Sequence, residues 1–141
     1  MLQSMKPDST TLILLSYNER EALGKLMPLI PFTLFDAVLA IDAGSTDGTL
    51  DIYEAHAIPY VLQEVLGRGN AFLMAQDRVQ TARIVFFSTD GNEDPNDLPT
   101  MLRYLDEGYD LVIGGRFILT GSSSDNNCAG WAERTNRPRQ P

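Results

Sequence analysis

Short apolar runs alternate with helical patterns along this chain. Residues 10–17, TTLILLSY, form a continuous apolar run of the kind expected from a strand buried on both faces. The following NEREALGKLM places Asn18 as a helix N-cap with Glu21 three positions on, the spacing of a capping box. Ala22, Leu23, Leu26, Met27 and Ile30 then recur at helical spacing until Pro28 and Pro31 end or kink the pattern. AVLAI at 37–41 is a second buried-strand run, and Leu50, Tyr53, Glu54 and Ala57 mark a short helix after it. PYVLQ at 59–63 predicts a third strand, its leading proline suited to a strand start or a sheet edge. Phe72, Ala75, Val79 and Ala82 share one helical face, RIVFF is the fourth strand, and Leu98, Met101, Leu102 and Leu105 mark a last helix that Gly108 stops. DLVIGG at 110–115 predicts a fifth strand.

Strand and helix in this alternation mean βαβ units, hence an α/β fold with a mainly parallel sheet covered by helices on both faces. Ligands of such sheets bind at the carboxyl ends of the strands. The polar clusters lie there. SYNE follows the first strand, DAGSTDGT the second, GRGNA the third, STDGNEDP the fourth and GGRF the fifth.

Composition narrows the function classes. The 141 residues suffice for about one domain with a real core, and 43% hydrophobic against 21% charged residues is the balance of an ordinary globular protein. Nineteen acids against eleven bases give a net charge of −8, which argues against nucleic acid as a partner. An anionic ligand therefore needs local donors or a cation. Cys128 is the single cysteine, so an intrachain disulfide is excluded and a reducing compartment fits. No apolar stretch approaches the ~20 residues of a membrane-spanning helix, and the first residues lack the basic-then-apolar layout of a leader. The expected location is cytoplasmic, peripheral to a membrane if the ligand is lipid-borne. No serine–histidine or cysteine–histidine arrangement supports hydrolytic nucleophile chemistry, and His56 lies in the second helix, away from the strand ends.

Taken in order, SYNE, IDAGSTDGT, GRGNA, the acidic STDGNEDP and GGRF resemble family 2 glycosyltransferases of the GT-A fold. The nearest resemblance is to the branch that makes polyprenyl-phosphate or dolichyl-phosphate mannose or glucose. It covers roughly residues 12–117 and implies a Rossmann-like nucleotide-binding half. In such enzymes a hard divalent cation, held by one or two carboxylates and completed by the donor's phosphates, neutralises the leaving diphosphate. The resemblance implies Mg²⁺ or Mn²⁺ as cofactor, a nucleoside-diphosphate sugar as donor, and a polyprenyl phosphate at a membrane surface as acceptor. Aligning the family's proline with Pro95 puts Asp90 on the metal-ligating aspartate and Ser88 where a first aspartate usually stands. Asp42 resembles the aspartate that hydrogen-bonds the nucleobase, with Ala43 where the family often carries a second acid. Tyr17, Asn18 and Glu19 match the element that contacts base and ribose. Arg68, between Gly67 and Gly69, offers a cation for phosphate, and Arg116 matches an arginine facing the diphosphate or the acceptor phosphate. Ser45, Thr46 and Asp47 suit helix capping instead, and Glu93 and Asp94 suit the first turn of a helix.

The expected organisation is an N-terminal extension over residues 1–9, the nucleotide-sugar-binding domain over 10–117 and a polar, flexible tail over 118–141. The family's acceptor-side half has no counterpart in the sequence. Three readings follow: a glycosyltransferase, intact or truncated; a non-catalytic nucleotide-binding domain working with a partner subunit that supplies the acceptor site; and a phospho-receiver-like signalling domain. The last wants an acidic pair after the first strand and a lysine after the fifth, where this chain has Asn18-Glu19 and Arg116.

Overall fold

Strand β1 (Thr10–Ser16) runs through the middle of a four-stranded parallel sheet, with β2 (Ala37–Asp42) on one side and β4 (Arg83–Ser88) on the other. The computed structural model describes residues 6–114 and the backbone of 131–133. Beyond β2 lies the short edge strand β3 (Tyr60–Leu62), so the sheet order is β3-β2-β1-β4. The register pairs Leu14 with Ala40 and with Phe87, and Ile13 with Leu39 and with Phe86. The order reverses at β1. The chain steps outward to β2 and β3 and then crosses back to β4, which leaves a crevice between the carboxyl ends of β1 and β4.

Helices α1 (Arg20–Leu26), α2 (Thr49–Ala55) and α3 (Arg68–Arg78) are the crossovers. Side chains alternate along a strand, so the two faces bury two different sets. Ile13, Ile41, Ala71 and Ala75 form one core cluster, with Leu15, Leu39, Val61, Ile84 and Phe86 packed against it. There α3 lies on the sheet, the Phe72 ring 4.3 Å from the Phe86 ring. Leu12, Leu14, Val85 and Phe87 fill the opposite face and are buried as well. Leu12, Ile13 and Leu14 are fully buried in succession, each contributing about 1.5–3 kcal/mol by leaving water. Burial on both faces accounts for the unbroken apolar run read from the sequence.

The capping box expected at Asn18 and Glu21 does not form. Asn18 adopts a left-handed φ of 53°, the N-cap position falls at Glu19 with no side-chain cap, and Glu21 pairs instead with Lys25 at 2.7 Å. The cap comes from a distant loop. Asp47 Oδ2 accepts the Arg20 N–H at 3.0 Å and Thr49 Oγ1 accepts the Glu19 N–H at 2.9 Å. Asp47 Oδ1 meanwhile accepts both the N–H and the hydroxyl of Thr49 at the start of α2. One carboxylate therefore caps two helices.

The chain divides into two compact units at Pro95 and Asn96. In the second unit α4 (Asp97–Asp106) ends at Gly108, whose φ of 95° suits glycine. The fifth run does not join the parallel sheet. β5 (Leu111–Ile113) pairs antiparallel with β6 (Trp131–Glu133) in a two-stranded sheet of its own. Leu111 and Ile113 are about half exposed, so the run is not buried on both faces as its composition suggested. A three-residue apolar run carries no signal for its pairing partner. Among the described residues no helix is long and apolar enough to cross a membrane.

Candidate functional site

The carboxyl ends of the four parallel strands open into a cavity of about 220 Å³. β1 and the turn after it contribute Leu15, Ser16, Tyr17 and Glu19 to its wall. Ile41 and Ala43 come from the end of β2, Gln63 from the end of β3, and Gly67, Arg68 and Ala71 from the start of α3. Ser88 and Asp90 close it from β4. The fold thus brings Tyr17, Glu19, Arg68, Ser88 and Asp90 to one cavity. Tyr17 is 57% exposed, a ring standing at the rim and not in the core.

Alternation along β2 decides which residue meets that space. Ile41 belongs to the face that α3 covers, and so does Ala43, two positions on. Asp42 points to the other face and is fully buried. Its carboxylate is taken up internally. Oδ1 accepts the backbone N–H groups of Gly44 and Ser45 at 2.8 and 2.6 Å, while Oδ2 accepts the hydroxyls of Ser16 and Ser45 at 2.7 and 2.6 Å. Asp42 therefore holds the β2–α2 loop in shape, and Ala43 occupies the wall where the sequence pointed to a base-reading aspartate. Asn18 has a similar task. Its Oδ1 accepts the Thr46 N–H at 2.8 Å and its own N–H donates to Ser45 Oγ at 2.8 Å, tying the two loops together beside the cavity.

The β4 end is set by turns. Asp90 Oδ1 accepts the Asn92 N–H at 2.9 Å across Gly91, whose φ is 81°. Glu93, expected in a first helical turn, precedes α4 and folds back so that Oε2 accepts the Ser88 N–H at 2.9 Å. Burial first, then the charges of Asp90 and Asp47, pushes the Glu19 carboxyl above the usual glutamate range. Glu19 and Asp90 both line the cavity, and the Asp90 charge disfavours ionisation of Glu19. Among the described residues no group of three or more acidic, histidine or cysteine side chains is arranged to hold a metal unaided. The donor set fits a hard divalent ion whose shell is completed by phosphate oxygens, the usual arrangement for Mg²⁺. Arg116 lies outside the described residues.

Tyr53 in α2 is fully buried, its hydroxyl without a hydrogen-bond partner. Burial pushes the phenol up to about 12; the Ser16 and Thr89 hydroxyls near it soften the shift. One polar cavity residue escaped the sequence reading. Gln63 follows β3 directly, so the rule that polar groups after strands face the ligand would have found it had the strand been ended one residue sooner. Ala43 carries no chemical signal of its own.

The model of the family described as glycosyl transferase family 2 matches residues 11–138. The chain belongs to that family. Among its relatives in the family, the glycosyltransferase AglJ of Haloferax volcanii is 37% identical over 112 residues, covering 79% of this chain and 37% of the relative. A polyprenol monophosphomannose synthase of Mycolicibacterium smegmatis is 31% identical over 135 residues, covering 84% and 49%. The chain thus spans half or less of the length of these two family members. The GT-A glucosyl-3-phosphoglycerate synthase of Mycobacterium tuberculosis, solved in complex with UDP, shares the fold with a TM-score of 0.64 at 23% identity, over 71% of this chain and 40% of that one. The same synthase with Mn²⁺, UDP-glucose and phosphoglyceric acid superposes with a TM-score of 0.62.

Proposed function

We propose that this chain forms the donor-binding half of a glycosyltransferase that moves a sugar from a nucleoside-diphosphate sugar to a polyprenyl phosphate, with inversion and dependence on Mg²⁺ or Mn²⁺. The observation that carries the reading is the cavity at the strand ends, where Tyr17, Arg68, Ser88 and Asp90 converge. Relatives named for polyprenol and undecaprenyl phosphate chemistry support the acceptor class.

Each residue has a physical task in this reading. Arg68 opens α3, so its guanidinium and the first N–H groups of an 11-residue helix offer positive charge to the diphosphate. That local charge offsets the field of a chain carrying −8. Asp90, with Glu19 across the cavity, would hold the divalent cation, which supplies charge neutralisation for the leaving diphosphate. Ser88 donates or accepts a hydrogen bond but adds no charge. Tyr17 at the rim packs on the nucleoside. Asp42 and Asn18 act at one remove by fixing the loops that shape the wall. An acceptor phosphate arrives ionised and needs no strong base, so direct attack at the anomeric carbon, with inversion, proceeds by positioning and by stabilising the diphosphate. Arg116 would face one of the two phosphate groups.

The test is transfer of labelled sugar from UDP-glucose and GDP-mannose to undecaprenyl phosphate in detergent, followed by chromatography of the lipid product. Product formed by the wild type and lost in Asp90→Ala supports the reading. A chain that binds donor but transfers nothing, alone or with added membranes, limits it to nucleotide binding.

A further inference from the structure

We propose that Gln63 reads the nucleobase in this cavity, and that its side-chain oxygen selects a ring N–H of the uracil type. The inference rests on the donor-binding reading above and deepens it. A nucleoside diphosphate laid across the strand ends with its phosphates near Asp90, after β4, brings its base over β2 and β3, on the far side of β1 in the sheet order. The cavity residues from the ends of β2 and β3 are Ile41, Ala43 and Gln63. Gln63 alone among these three has a polar side chain.

Its orientation is fixed by the chain around it. The Gln63 N–H donates to the Asp42 carbonyl at 2.7 Å, extending the sheet one step past β3. Nε2 donates to the carbonyl oxygens of Val65 and Gly67 at 2.7 and 2.6 Å. Two carbonyls can be faced only by the amide's NH₂, so the flip state is determined and Oε1 lies on the other side as an acceptor. The amide cannot turn over to offer a donor without losing both bonds.

A single fixed acceptor sorts the bases. Uracil presents one ring N–H, N3–H, between two carbonyls. Cytosine presents a lone pair at the same place, facing an oxygen. Guanine presents two adjacent donors, N1–H and the N2 amine, and the second finds no side-chain acceptor at this end, because Asp42 is buried and occupied and Ala43 has none to give. An analogue that offers no donor to the Gln63 oxygen loses that hydrogen bond.

The experiment is calorimetric titration of the 141-residue chain with UDP, 3-methyl-UDP, CDP and GDP in Mn²⁺, for the wild type and Gln63→Leu. Wild type should bind UDP at least ~10-fold more tightly than the other three, as expected for loss of one good hydrogen bond. The penalty for N3-methylation should largely vanish in Gln63→Leu. An equal methylation penalty in both proteins would mean that Gln63 only braces the loop, and the proposal fails. GDP bound as tightly as UDP overturns the proposal and leaves the donor-binding reading standing. No binding of any nucleotide by folded protein overturns both. If Gln63→Leu does not fold, Gln63→Met takes its place in the same comparison.

Discussion

Ser16 donates its hydroxyl to Asp42 Oδ2 at 2.7 Å, joining the ends of the two central strands beneath the cavity. The pair is one of four hydrogen bonds through which the buried Asp42 carboxylate holds the β2–α2 loop. Asp42→Ala would remove the shared acceptor of two backbone N–H groups and two hydroxyls at a partly buried loop. The expected loss is about 2–4 kcal/mol by urea denaturation, with a smaller loss for Asp42→Asn. A loss confined to nucleotide affinity, with stability unchanged, would place Asp42 in the binding surface instead.

Asp47 caps both α1 and α2, so its removal should lower stability more than loss of a single cap does. The hydroxyl of Thr49 first, then the Arg20 N–H, draws its carboxyl below the ordinary value of 3.8. A depressed folded-state value makes this contribution fully present above the unfolded value and lost as pH falls through the folded one. The melting-temperature gap between wild type and Asp47→Ala should therefore be wide at pH 7 and close in strong acid. A gap independent of pH would contradict the double cap.

Tyr53 buries a hydroxyl with no hydrogen-bond partner. Tyr53→Phe should be neutral or stabilising, by up to ~1–2 kcal/mol, because it removes an uncompensated polar group while keeping the ring. Burial raises this phenol from 10.0 to about 12. A raised folded-state value means stability is intact below the unfolded value and lost as pH climbs from 10 towards 12. Titration of tyrosinate absorbance should show one phenol ionising late or only with unfolding, and Tyr53→Phe should abolish that phase.

Ala43 keeps the cavity open by its small size. Ala43→Phe should fill the space between Gln63 and Tyr17 and weaken nucleotide binding at least ~10-fold, equivalent to about 1.4 kcal/mol. The side chain sits at a partly exposed cavity wall, so thermal stability should change little. Unaltered nucleotide affinity would show that the ligand does not reach β2.

The strand–helix alternation was legible in the sequence because burial on both faces leaves unbroken apolar runs such as residues 11–15. The identity of the carboxyl-end loops was legible for the same reason, since each polar cluster interrupts such a run. Three features were not. The cap on α1 comes from Asp47 and Thr49, far along the chain, so no local pattern at Asn18 could reveal it. The face of Asp42 depends on where the two-residue alternation stands when the strand ends, and a continuous apolar run hides that phase. The partner of β5 lies across a long connection, and three apolar residues cannot specify it. Tyr17, Arg68, Ser88 and Asp90, which line the cavity, interrupt apolar runs and so stand out in the sequence, whereas Gln63 continues the pattern of β3.

Metal-assisted nucleotide binding at Asp90 is the centre of the account. Calorimetric titration of UDP into the folded chain, with and without Mn²⁺, for wild type and Asp90→Ala, tests it most directly. The account predicts binding that Mn²⁺ strengthens in the wild type and that Asp90→Ala reduces to the metal-free level. Equal affinities in all four titrations, or binding that ignores both Mn²⁺ and Asp90, would contradict it.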